Sequence, residues 1–165
     1  MKRRVLAHLA LMEVLYVVEA LLFSMFTRPT HPESLEYIRH AGPLTAFLHI
    51  WLNNAASALL LSSLGVVHPV LAYLGMIPVA ASDGRVLASW LSGYVPNRHL
   101  VYSVIESQGL LLSSLLGINL FLKLRGVKGL LERWDVFRRH VLLIAVTVTL
   151  VFLVLAAVET WEVLL

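Results

Sequence analysis

Five long apolar runs constrain this chain more than any other feature of its sequence. They cover about residues 5–26, 44–64, 70–90, 99–122 and 140–161, and each is close to the roughly 20 residues that a helix needs to cross the hydrocarbon of a bilayer. Charged residues make up only 14% of the chain, against about 25% in soluble domains. The sequence therefore predicts an all-α, polytopic membrane bundle of five transmembrane helices in one domain, 1–165, and not a soluble enzyme.

The first run follows the basic stretch Met1–Arg4 and so resembles a signal peptide. A signal peptide has a shorter apolar core and a cleavage site of small residues. Here the apolar run is longer and contains Glu13 and Glu19. We therefore expect it to be a retained helix.

Lysine and arginine in the short loops predict the orientation, because cytoplasmic loops carry an excess of both. With the N-terminus inside and the C-terminus outside, nine of the 13 basic residues lie inside and three outside, while Arg85 falls within the third run. The inner set is Lys2, Arg3, Arg4, Lys123, Arg125, Lys128, Arg133, Arg138 and Arg139, and the outer set is Arg28, Arg39 and Arg98. We expect residues 123–139 to form a basic connector with a short interfacial helix, in a multi-pass protein of the plasma membrane.

Ionisable and amide side chains inside the apolar runs are the candidate functional residues. Each charge near a helix centre costs roughly 2.5–3.5 kcal/mol on insertion scales, so we expect these groups to face one another or water. The helical rise places most of them at one level in the outer half of the membrane. The predicted polar cluster consists of Glu19, His49, Asn53, Asn54, Asp83, Arg85, His99 and Glu106.

This polar cluster has two interpretations, which can hold together. Its members can fix helix packing through interhelical hydrogen bonds, or they can line a cavity that binds an ion, a metal or a lipid headgroup. No catalytic residue is assigned, since no nucleophile motif surrounds Ser103, Ser107 or Ser113. We expect no cofactor; His49, His99 and Glu106 are the candidate ligands if a metal binds, although no HExxH-like spacing is present.

Small residues recur every four positions in the fourth run, at Gly109, Ser113 and Gly117. Such a stripe lets two helix backbones approach closely. It is either a packing face against the second or fifth helix of the same chain or the seam of a homodimer. We favour the packing face, because five helices need such faces internally.

Several short motifs follow one another along the chain: Phe47–Asn54, Gly65, Asp83–Gly84, His99 with Glu106, and Ala156–Glu159. Their order resembles that of the stage II sporulation protein M family of integral membrane proteins. The chain departs from the family pattern at Asp83, where asparagine is expected, at Leu100, where glycine is expected, and at Pro96, which is not adjacent to His99. The namesake acts in a membrane complex that drives engulfment during sporulation, so the resemblance implies a membrane fold and a polar residue set more than a reaction.

Three functional hypotheses follow. The first is a membrane scaffold or complex component with a buried polar cluster. The second is a small transporter, channel or lipid-binding protein that uses an outer-half cavity, and the third, least favoured, is a metal-dependent intramembrane enzyme. The expected partners are the lipid bilayer and other membrane proteins or further copies of the chain; the basic connector lacks the interleaved aromatics typical of nucleic-acid binding.

Overall fold

The computed structural model describes residues 2–29 and 42–164, with side chains described for 3–29 and 42–161. Five α-helices follow one another, and the described residues contain no strand. They are α1 (Lys2–Phe26), α2 (Pro43–Val67), α3 (Pro69–Leu91), α4 (Asn97–Arg125) and α5 (Leu130–Leu164). All five are long and apolar enough to cross a membrane. The prediction of an all-α bundle with five such helices is confirmed, while Arg39, used in the orientation argument, lies outside the described residues.

Proline begins two of the helices. Pro43 lies in the first turn of α2 and Pro69 in the first turn of α3, where a missing N–H costs no hydrogen bond. A single residue, His68, separates α2 from α3 with an extended backbone (φ −164°, ψ 138°). Its Nδ1 accepts a hydrogen bond from the Val70 N–H at 3.3 Å. The predicted turn at 65–69 is therefore shorter than expected, because residues 65–67 remain helical.

Contacts between helix ends show which termini share an end of the bundle. His8, near the start of α1, lies 2.6 Å from the hydroxyl of Tyr73, near the start of α3. The ring of His68 meets the ring of Phe121, near the end of α4, edge-on at 5.5 Å. The start of α1, the α2–α3 turn and the end of α4 therefore lie together. The basic start of the chain and the basic α4–α5 region occupy this same end.

The fifth helix corrects the predicted boundaries. We expected a basic connector over 123–139, but α4 continues to Arg125 and α5 begins at Leu130, which leaves only 126–129 between them. Leucine, glutamate and arginine are good helix formers, and Glu132 lies in the first turn, where the helix dipole favours an acidic group. At 35 residues, α5 is about 52 Å long by the helical rise and exceeds a hydrocarbon core of about 30 Å.

The backbones of α2 and α4 approach each other closely at two glycines. A Cβ added at Gly117 would lie 2.0 Å from the carbonyl oxygen of Ser62. A Cβ added at Gly65 would lie 2.7 Å from the carbonyl oxygen of Ser114. The two glycines are thus required by the packing, as small-residue stripes in membrane helices allow.

The remainder of the small-residue stripe also packs within the chain. The hydroxyl of Ser62 on α2 donates to the carbonyl oxygen of Ser113 at 2.8 Å. A Cβ at Gly109 would meet the ring of Phe152 on α5 at 2.9 Å. The stripe is therefore occupied by α2 and α5 of the same chain, as favoured from the sequence.

The outward surface of the bundle is apolar. Leu112, Leu142 and Val154 expose 54%, 67% and 59% of their surface, and large aliphatic side chains of this kind recur along every helix. A soluble monomer rarely exposes contiguous apolar patches of more than a few hundred Å². This surface is suited to lipid.

Candidate functional site

A cavity of about 400 Å³ opens between α2, α3, α4 and the end of α5. We call it the central cavity. Its lining includes five of the eight predicted polar residues, brought from three helices. They are Asn53, Asn54, Asp83, His99 and Glu106. The structure therefore gathers most of the predicted polar cluster.

Asp83 accepts hydrogen bonds from three hydroxyl groups beside the central cavity. Its carboxylate accepts a hydrogen bond from the hydroxyl of Tyr16 on α1 at 2.5 Å. Ser103 and Ser107, one turn apart on α4, also donate their hydroxyls to it. Three helices thus meet at one carboxylate that is 9% exposed.

Glu106 and Glu159 differ from Asp83 in having no hydrogen-bond donor among the described residues. Both line the central cavity, and both also line an adjoining cavity of about 70 Å³ with Asn54 and Tyr102. Within the described ranges, neither carboxylate takes part in a hydrogen bond or an ion pair of the protein. Two carboxylates on facing helices, α4 and α5, are therefore open to whatever occupies the cavity.

An asparagine pair on α2 forms the wall of the cavity opposite α4. Asn54 is 5% exposed, and its Oδ1 accepts a hydrogen bond from Nδ2 of Asn53 at 3.2 Å. Amide groups of this kind can offer both donors and acceptors to a ligand. His99 contributes a half-buried imidazole to the same lining.

Three residues of the predicted cluster do not line the central cavity. His49 and Arg85 are exposed. Arg85 follows Asp83 by two positions, about 200° around the helix, and so points away from it. Glu19 lies on α1, which contributes no lining residue to this cavity among the parts of the chain that are described. It lines a separate cavity of about 170 Å³ between α1 and α3.

The sequence did not single out Tyr16, and it marked Glu159 only as part of the family resemblance. Tyr16 lies in an apolar run, where a tyrosine side chain is expected to contribute to packing. Glu159, near the end of the fifth predicted run, lines the central cavity. In the sequence, Ser103 and Ser107 are considered only as candidate nucleophiles. Their spacing of four residues puts both on one helix face, and this spacing indicates that they can contact the same group.

The candidate metal ligands are only partly brought together. His99 and Glu106 line the central cavity, whereas His49 does not. In residues 2–29 and 42–164, no three histidine, cysteine, aspartate or glutamate side chains are placed to hold a metal ion.

Comparison with protein families, with curated proteins and with solved structures finds no match for this chain. The resemblance to the stage II sporulation protein M family therefore stays a prediction. The fold itself is a bundle of five helices that can each span a bilayer by length and composition, which is the class of multi-pass membrane proteins.

Proposed function

We propose that this protein binds a small cation in its central cavity, as a transporter or channel of the membrane would. The observation that supports this most strongly is the set of three carboxylates, Asp83, Glu106 and Glu159, that α3, α4 and α5 turn toward one cavity. No lysine or arginine belongs to its lining as far as the chain is described, and His99 is its only basic side chain there.

The energetics favour a cationic occupant over an empty cavity. A carboxylate at membrane depth costs roughly 2.5–3.5 kcal/mol on insertion scales. The hydroxyls around Asp83 offset that cost for one group, but Glu106 and Glu159 have no such donors in the described chain. A cation between them supplies the missing counter-charge. The volume of about 400 Å³ is in the usual range for small-ligand sites, about 300–1,000 Å³.

Equilibrium binding to the purified protein tests the proposal directly, with Na⁺, Rb⁺ and tetramethylammonium as radiolabelled probes. We expect at least one probe to bind, and we expect Glu106→Gln and Glu159→Gln each to lower its affinity at least tenfold. The matched control is Glu132→Gln, since Glu132 is exposed in the first turn of α5. Absence of binding by all three probes, or unchanged affinity in both cavity variants, would contradict the proposal.

The chain contains no cysteine, so single-cysteine labelling can test water access without background. Ser57 and Ser82 line the central cavity, and we expect Ser57→Cys and Ser82→Cys to react with a membrane-impermeant, charged methanethiosulfonate. Leu112→Cys is the control on the lipid-facing surface, because Leu112 is 54% exposed and lies outside the cavity lining. Equal protection of all three cysteines would argue against an aqueous cavity.

We propose that the N-terminus faces the cytoplasm and that the protein lies in the plasma membrane. The basis is the nine-to-three excess of basic residues at the end of the bundle where α1 begins and α4 ends. Ser92 and Lys128 are exposed residues in turns at opposite ends of α4. In intact cells we expect Ser92→Cys to react with the impermeant reagent and Lys128→Cys to react only after permeabilisation; the reverse pattern would invert the orientation.

A membrane scaffold or complex component is the second candidate function. It is favoured by the way Asp83 ties α1, α3 and α4 through three hydroxyl donors, which is the role of interhelical polar contacts in membrane bundles. The family resemblance points the same way. A scaffold predicts that Glu106→Gln changes assembly or stability and that no probe cation binds, whereas the first proposal predicts a folded variant with weakened binding.

A further inference from the structure

The cavity between α1 and α3 is separate from the central cavity and has a different character. We call it the α1–α3 groove; it has a volume of about 170 Å³ and is lined mostly by apolar and aromatic side chains. The groove contains one carboxylate, that of Glu19, and two tyrosine rings, those of Tyr16 and Tyr73. Leu15 and Leu74 line it while remaining 39% and 55% exposed, so it opens toward the lipid.

Both tyrosine hydroxyls of the groove are engaged elsewhere. Tyr16 donates to Asp83 at 2.5 Å, and the Tyr73 hydroxyl lies 2.6 Å from Nδ1 of His8. These bonds hold the two rings in place as walls of the groove. They also leave Glu19 without a donor, since no hydrogen bond or ion pair reaches its carboxylate from any described residue.

A lone carboxylate beside fixed aromatic rings is suited to an ammonium group. The carboxylate supplies the opposite charge, and a cation placed over a tyrosine ring is attracted by the ring quadrupole. Met12 and Met76, both nearly fully buried, complete the apolar wall, and thioether side chains adapt readily to different ligand shapes.

The volume limits the apolar part of the ligand. An engineered apolar cavity of about 150 Å³ accommodates benzene, so about 170 Å³ accommodates one ring with a short chain. We propose that the α1–α3 groove is a binding site for a small amphipathic amine, with its ammonium on Glu19 and its apolar body between α1 and α3, entered from the bilayer. This site is independent of cation binding in the central cavity.

Isothermal titration of the protein in nanodiscs with phenethylamine tests the inference. Matched ligands are 2-phenylethanol, which lacks the charge, and 3-phenylpropionate, which reverses it. We expect phenethylamine to bind at least tenfold more tightly than either, after subtraction of empty nanodiscs. No binding above empty nanodiscs, or equal binding of the alcohol, would overturn the proposal.

Two groove variants and two controls locate the site. We expect Glu19→Gln to lower the affinity for phenethylamine at least tenfold. Leu74→Trp should also block phenethylamine binding, because the larger side chain fills the groove from an exposed position that the fold tolerates. This variant keeps the test valid even where Glu19→Gln fails to fold. Leu71→Trp, on the same helix but outside the groove lining, should bind phenethylamine with the affinity of the wild type.

Glu106→Gln separates this site from the central cavity. We expect it to leave phenethylamine binding unchanged. Loss of binding in Glu106→Gln with retention in Glu19→Gln would place the amine in the central cavity, which overturns the groove site while supporting the proposed function. If none of the cation probes binds while phenethylamine binding is intact, the result would support the groove site and contradict cation binding in the central cavity.

Discussion

The hydroxyl of Tyr16 on α1 lies 2.5 Å from Oδ2 of Asp83 on α3, although 67 residues separate the two in sequence. This bond connects a helix that does not line the central cavity to a carboxylate that does. It also places the side chain of Tyr16 between the central cavity and the α1–α3 groove, because Tyr16 lines the groove.

Replacing Tyr16 with phenylalanine should destabilise the bundle while preserving its packing. The variant removes one of three donors to Asp83, and interhelical hydrogen bonds in membrane proteins contribute about 0.6 kcal/mol on average and up to about 1.7. We expect a loss of about 0.6–1.7 kcal/mol, measured by reversible unfolding in mixed detergent micelles. Ser63→Ala is the control, since Ser63 donates only within its own helix, to Leu59, and an equal loss in both variants would contradict the prediction.

Replacing Gly117 with alanine should separate α2 from α4. The added methyl group meets the backbone carbonyl of Ser62 at 2.0 Å, and a backbone cannot move aside as a flexible side chain can. Overpacking typically costs about 1–3 kcal/mol, and we expect a loss in that range by the same unfolding assay. Gly129→Ala is the control, because its nearest neighbour, Glu132, is 3.6 Å away; stability equal to wild type in Gly117→Ala would show that the two helices pack differently.

The pair formed by Glu13 and Gln108 links α1 to α4. Nε2 of Gln108 donates to Oε2 of Glu13 at 3.2 Å. A double-mutant cycle with Glu13→Leu and Gln108→Leu isolates this contact from the effects of each side chain alone. We expect a coupling energy of about 0.6 kcal/mol in favour of the pair, and additive effects of the two substitutions would rule the contact out.

Thr160 offers a stabilising substitution. Its Oγ1 is buried without a hydrogen-bond partner among the described residues, and a buried polar group left unpaired costs about 1–3 kcal/mol. Valine has nearly the same shape without the hydroxyl, so Thr160→Val should raise the unfolding free energy by about 1 kcal/mol. Thr147→Val, at an exposed position of the same helix, should change it less; a destabilised Thr160→Val would indicate a partner for the hydroxyl.

The sequence predicts the number and nature of the helices because hydrophobic length is a property of each segment alone. It also predicts that Asn54, Asp83 and Glu106 meet, since the helical rise fixes the height of each residue along its own span. Rotation about the helix axis depends instead on which neighbours a helix packs against. That information is absent from the apolar runs, and for this reason Arg85 and Glu19 were placed with the cluster although neither lines the central cavity.

The residues that the sequence missed have a related explanation. Tyr16 is chemically ambiguous, because the same side chain serves as packing, as an interfacial anchor or as a hydrogen-bond donor. Its role depends on α3 lying alongside α1 in the same direction, which loop lengths do not specify. Glu159 lies near the end of the last span, where a carboxylate usually faces the interface, and only the position of α5 against α2 and α4 brings it to the central cavity.

The packing of α1 has a consequence for the synthesis of the protein. In the described chain α1 contacts α3 and α4 but not α2, the helix that follows it. The partner of Glu13 is 95 residues away, and at about 5–20 residues per second of translation it is made roughly 5–20 seconds later. During that interval the first helix carries its polar side chains without their final neighbours, so its early residence in the bilayer depends on water, headgroups or the insertion machinery.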